Sequence, residues 1–252
     1  MKAFIKAYWK TLLFFTVVGW IGGWVSGLYL LESYPPEMQQ EMLAQGMTDT
    51  KIALTMAIQS AAYGLVLGAL GIWLGRKVGL WKDERHITKK ALLAALVISL
   101  IGGLGIILPD LLFFGKYEPA LLDTYAVKPT IPYLLATISY GAVIEEIMFR
   151  LFMMSLVAFV LHLLFERKRK EVSTAVLVVA NVISALLFAA GHLPVNEMMY
   201  GLTPMIVFRC FLLNGVFALA FGWLYRKFGL RYAMIAHGGA HVVSKLIWIL
   251  FL

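Results

Sequence analysis

Cysteine is nearly missing from this chain: Cys210 is the only one in 252 residues. No intrachain disulfide can form, and a metal cluster built on several cysteines is excluded, so Cys210 reads as a small apolar residue. Charge is scarce as well. Asp, Glu, Lys and Arg make up 14% of the chain and hydrophobic residues 61%, against about 25% and 45–50% in an average soluble domain. A water-soluble fold is excluded. Low-complexity segments, internal repeats and long linkers are also lacking, which argues for one membrane domain.

What is there is a series of apolar blocks, each long enough to cross a hydrocarbon core of about 30 Å as a helix. The blocks predict seven spans: residues 11–31, 52–75, 91–114, 131–164, 173–191, 203–224 and 232–251. The expected fold is therefore an all-α polytopic transmembrane helical bundle of seven spans, or eight. Residues 1–130 supply the N-terminal transmembrane helices and 131–252 the remainder of one integrated domain. The first block follows Lys2, Lys6 and Lys10, but no small-residue cleavage pattern follows Leu31, so a retained helix is expected.

The net charge of +8 could suggest nucleic acid, but the basic residues fall in alternate connections. Lys2, Lys6 and Lys10 precede the first span. Arg76, Lys77, Lys82, Arg85, Lys89 and Lys90 lie in the second loop, Arg167 to Lys170 in the fourth, and Arg226, Lys227 and Arg231 in the sixth. The other loops hold Glu32, Glu37, Glu41 and Asp49, then Glu118 and Asp123, then Glu197. Sixteen of the 22 basic residues thus share one side, which places the N-terminus in the cytoplasm and the C-terminus outside. Lipid replaces nucleic acid as the expected partner.

Ionisable side chains inside a span are costly, so each is a candidate for function. The fourth span carries Glu145, Glu146 and Arg150. Residues four apart share a helix face and neighbours differ by about 100°, so Glu146 and Arg150 are expected to pair while Glu145 points elsewhere, free to act as a general base. A purely structural alternative is a buried ion-pair network that locks helices together. Phe188-Ala-Ala-Gly-His192 ends the fifth span; alone, a histidine beside Pro194 is a helix-end or interfacial residue. His237-Gly-Gly-Ala-His241 puts two imidazoles on one face of the last span, where they could donate N–H groups together or bind a metal. The intervening glycines would let a substrate or a neighbouring backbone approach.

These three segments, in this order and at these separations, resemble the motifs of the CAAX protease and bacteriocin-processing enzyme family of intramembrane glutamate peptidases. The stretch Asn214-Gly215 to Gly222-Trp223-Leu-Tyr225 is similar to the family's penultimate helix, and the resemblance covers about 131 to 245. It departs at His241, where the family usually has Asn or Asp. The resemblance implies hydrolysis of peptide bonds in membrane-associated substrates, whether CAAX-type, peptide-precursor or bacteriocin-related, without a metal cofactor. In it Glu145 activates water with help from His192, His237 and the group at 241 stabilise the oxyanion, and Glu146 and Arg150 support Glu145. A plasma-membrane location is expected.

Three alternatives remain open at this level. Zinc could be held by Glu145, His192, His237 and His241, whose N and O donors suit it. A transporter could line a path with Glu145, Glu146, Arg150, Arg209 and Lys245. A non-proteolytic immunity or scaffold member of the family could act through contacts alone. One geometric difficulty stands: in straight, upright helices with these ends, His192 and His237 would differ in depth by about 20 Å. Tilt, a break near Gly141 or an extension of the long fourth span would reconcile them.

Overall fold

A computed structural model describes residues 2–34, 36–82 and 87–252. Arg85 and the side chain of Glu32, both used in the loop-charge argument, lie outside the described residues. The fold is all-α, with no strand among the described residues. Among the described residues seven helices are long and apolar enough to cross a membrane: Lys2–Leu30, Asp49–Lys77, Lys89–Lys116, Ile131–Phe165, Thr174–Tyr200, Pro204–Phe228 and Leu230–Phe251. The protein is an integral, multi-pass membrane protein.

Two boundaries differ from those expected. The first helix already begins at Lys2, so its three lysines sit on its exposed surface; a lysine stem is a good helix former and carries its charge toward water. The fifth span does not stop at His192. A helix over Thr174–Gly191 bends there and continues as Leu193–Tyr200. Pro194 falls in the first turn of the second piece, where its missing N–H leaves no bond unmade. His192 is therefore eight residues, about 12 Å, inside the end of the span.

Small residues bring the spans together. On the first span Gly23 and Gly27 lie one turn apart, and a methyl group at either would collide with the backbone of Met56 or Ala53 on the second. The last span meets the third in the same way, with Gly239 backed onto Ser99, and meets the fourth where a methyl at Gly238 would lie 3.0 Å from the Ala142 side chain. The glycines between His237 and His241 thus serve helix packing. Around the fourth span a continuous core forms from residues including Ile144, Ile147, Leu151, Phe221, Tyr225 and Tyr232. Outward-facing residues such as Leu93, Val97, Leu100 and Leu246 stay exposed, as a lipid-facing surface requires.

The fourth span is unusual in its winding. Thr137–Glu145 and Ile147–Met154 are π-helical and join at Glu146. Wider winding opens room along the axis, and such stretches concentrate at functional sites. Gly141 lies within the first stretch and does not break the helix.

Candidate active site

The winding of the fourth span decides where its carboxylates go. In a π-helix successive residues are separated by about 80° instead of 100°, so neighbours stay closer to one face. Glu146 pairs with Arg150 as the sequence predicts, with Nη1 to Oε1 at 3.2 Å. Glu145 takes no part in that pair, yet it does not point away. Both carboxylates face His237: its Nδ1 lies 2.8 Å from Glu146 Oε1, and its Nε2 lies 3.9 Å from Glu145 Oε2.

This arrangement assigns roles to the imidazole nitrogens. A carboxylate only accepts, so His237 Nδ1 donates to Glu146, which leaves Nε2 facing Glu145. At 3.9 Å the latter contact is too long for a direct hydrogen bond, but one water could touch both groups. Phe221 stacks on the His237 ring at 4.8 Å and 17°, fixing its plane. Glu146, Arg150 and His237 are all buried.

Arg150 is held by more than its ion pair. Its guanidinium lies 4.4 Å from the Phe188 ring centroid and 5.5 Å from that of Phe221. Its terminal nitrogens make no regular hydrogen bond among the described residues, so the two aromatic faces and the Glu146 charge supply its surroundings.

His192 approaches from the bend in the fifth span. Its Nδ1 donates to the Phe188 carbonyl at 2.8 Å, which fixes the tautomer and leaves Nε2 as an acceptor. Asn196, one turn on, donates to the His192 carbonyl at 2.7 Å and steadies the bend. Phe188 sits between the two histidines, its ring 4.6 Å from that of His192 and 5.9 Å from that of His237. His192 and His237 line one cavity of about 210 Å³. The depth difficulty is thus met by the bend at His192 and its position well inside the span. His192 does not touch Glu145 directly; His237 is the imidazole beside that carboxylate.

His241 follows one turn after His237, its ring 5.0 Å away and nearly parallel. It also lines the cavity, passes close to Gly141, and carries a buried Nδ1 with no hydrogen-bond partner among the described residues. Among the described residues no group of three or more His, Cys, Asp or Glu side chains is placed to hold a metal ion. Glu145, His192, His237 and His241 do not converge on a common point as four zinc ligands would.

Of the transporter candidates, Arg209 and Lys245 line the far part of this cavity. Arg209 is neutralised by Asp110, which accepts from its Nε at 2.5 Å and its Nη2 at 2.6 Å, a bidentate pair. Tyr125 donates to the same carboxylate at 2.8 Å. Sequence reasoning passed over Asp110, although a carboxylate inside the third span is the same kind of signal as Glu145. Asn196 and Tyr133 were also missed; neither carries a charge or a motif to announce it.

Comparison with known proteins agrees with this picture over the second half of the chain. No curated protein and no solved structure matched. Residues 127–243 match the family model for type II CAAX prenyl endopeptidase Rce1-like proteins. That match contains all three charged or histidine-bearing segments and is nearly the extent covered by the resemblance drawn from motifs. Over residues 127–243 the chain is thus similar to the Rce1-like family, a family of CAAX-type proteases.

Proposed function

We propose that this protein is an intramembrane endopeptidase that hydrolyses a peptide bond in a membrane-associated substrate. The observation that carries the reading is the juxtaposition of Glu145 with a His237 ring whose other nitrogen is committed to Glu146. Such a carboxylate, beside an imidazole that lines a cavity, can hold and activate a water.

In this reading Glu145 takes a proton from the water as its oxygen attacks the scissile carbonyl carbon. The oxyanion that forms is stabilised by the imidazole N–H of His241, while His237, whose N–H is committed to Glu146, turns its Nε2 toward Glu145 and the water. The C–N bond then breaks, and the proton held by Glu145 passes to the departing amine. His192 presents a bare Nε2 to the same cavity and orients the water by accepting a hydrogen bond. Glu146 and Arg150 hold the His237 ring, and no step needs a metal. The substrate is a CAAX-type tail, a peptide precursor or a bacteriocin-related peptide. The N-terminus is cytoplasmic on the strength of the loop charges, and the plasma membrane is the proposed location.

The test compares membrane-associated peptides in cells that make the wild-type protein or Glu145→Ala. Precursors should accumulate, and their products vanish, only with the variant. Identical peptide profiles at equal protein levels would remove the hydrolytic reading.

A further inference from the structure

Glu145 does not share the cavity that His192, His237 and His241 line. Its side chain is nevertheless 19% exposed, against 7% for His237 and 0% for Glu146, and among the described residues no direct hydrogen bond reaches its carboxylate. A carboxylate inside a span that lacks such bonds needs water. Because Glu145 is absent from the cavity wall, that water comes to it from another side.

The neighbours of Glu145 identify the side. Tyr140 stands five residues earlier on the same π-helical stretch, where residues four or five apart lie close to one face. Glu145 and Tyr63 of the second span are the groups within electrostatic reach of the Tyr140 hydroxyl, which makes no hydrogen bond among the described residues. The second span widens for one π-helical turn of its own, Tyr63–Leu67, and packs there on the fourth. Tyr63 lies fourteen residues beyond the start of its span at Asp49, and Glu145 fourteen beyond the start of its own at Ile131. Alternate spans run the same way, so the two side chains share a depth.

Gln59, one turn before Tyr63, donates its Nε2 to the Tyr63 hydroxyl at 2.6 Å. A primary amide also carries a second N–H and an oxygen, and Gln59 is exposed ten residues inside its span with no other side-chain partner among the described residues. Hydrocarbon would leave those groups unsatisfied, whereas water would satisfy them. Thr55 and Lys51, both exposed, continue the same four-residue steps toward the end of the span at Asp49.

We propose that the water consumed in hydrolysis reaches Glu145 along Gln59, Tyr63 and Tyr140, on the side of the bundle formed by the second and fourth spans, while the peptide occupies the histidine cavity beyond His237. The inference rests on the peptidase reading for the fate of that water but not for its presence. Gln59, Tyr63 and Tyr140 are positioning residues, which hold water in line with the Glu145 carboxylate and exchange no proton with the substrate.

The experiment is hydroxyl-radical labelling of the full-length protein in nanodiscs, with radicals made by X-ray pulses from the water present and oxidised residues found by mass spectrometry. Such radicals react close to their source, so a ring inside the membrane is oxidised only where water sits beside it. Tyr63 and Tyr140 should be oxidised about tenfold faster than Trp20, a more reactive ring that is 44% exposed and lies ten residues before the end of its own span at Leu30, facing lipid. Tyr133 lines the histidine cavity and reports on the other side. Gln59→Leu should lower oxidation of Tyr63 and Tyr140 by about fivefold, through loss of the amide that holds the water, and leave Tyr133 unchanged. Tyr63 and Tyr140 oxidised no faster than Trp20 overturn the proposal, as does wild-type labelling in a folded Gln59→Leu protein. Protected tyrosines together with disulfide-linked dimers of Gln59→Cys would assign the polar groups to contact between two copies instead. If Gln59→Leu does not fold, the comparison of Tyr63 and Tyr140 with Trp20 in the wild type decides alone. Labelled tyrosines in a protein whose peptide profile matches that of Glu145→Ala would leave the water path standing and remove the peptidase reading; peptide products with unlabelled tyrosines would do the reverse.

Discussion

Replacing Arg150 by methionine removes a charge that the fold surrounds completely. Arg150 is 1% exposed, and its guanidinium lies 3.2 Å from Glu146 and beside two aromatic rings. At that separation the Coulomb attraction is about 5 kcal/mol for an effective dielectric of ~20. Methionine recovers part of the packing, but the Glu146 carboxylate is left buried with His237 as its remaining hydrogen-bond partner, so the expected net loss is about 3–5 kcal/mol. Denaturant or thermal unfolding in detergent, followed by intrinsic fluorescence, would read this loss directly. The decisive variant is the double one. Glu146→Gln with Arg150→Met removes both charges and keeps an oxygen for His237, so it should be more stable than Arg150→Met alone. A coupling of about 2 kcal/mol is expected from such neighbours. Additive losses in the four-member cycle, or an Arg150→Met melt equal to wild type, would refute the idea that this pair is buried and interdependent.

Other outcomes follow from the same geometry. Glu145→Gln keeps side-chain volume and removes the base, so peptidase turnover should fall by about 10²-fold or more while unfolding is unchanged; wild-type turnover in this variant would assign the base elsewhere. His241→Asn keeps an N–H donor beside the cavity, so activity should survive or rise, and chelators should leave it unaffected. Stoichiometric zinc in the purified protein together with a dead His241→Asn would instead favour a metal-dependent site. Gly27→Ala places a methyl against the Ala53 backbone and must push the first two spans apart. Its melting temperature should drop, and an unchanged melt would refute this close approach of the two spans.

The spans were legible because hydrophobic runs of about 20 residues have one physical reading, and the described helices follow them closely. The fifth span was not. Pro194 looked like a stop signal, but proline in the first turn of a new helical piece is compatible with continuation, and local sequence does not distinguish these two uses. That single error placed His192 at the membrane surface and created the apparent 20 Å separation from His237. The remaining boundary shift, at Lys2, reflects how far a lysine side chain can carry its charge from an apolar helix.

At the site, composition and spacing found the groups but not their partners. Pairing of Glu146 with Arg150 follows from helical spacing and is present. The direction of Glu145 depends on whether the backbone closes bonds at i+4 or i+5, and nothing in Tyr140 to Arg150 states that choice; the first and last spans both pack on this stretch, the last where Gly238 accommodates Ala142. Tertiary contact also separates two cations that looked alike in sequence. Arg209 and Lys245 are both basic residues within apolar runs, but only the fold shows that Asp110, 99 residues away, neutralises one and not the other. A charge inside a membrane identifies a place where something must be compensated. Which element compensates it, a side chain already present or water admitted between the spans, is a question of distance that emerges when the helices are side by side.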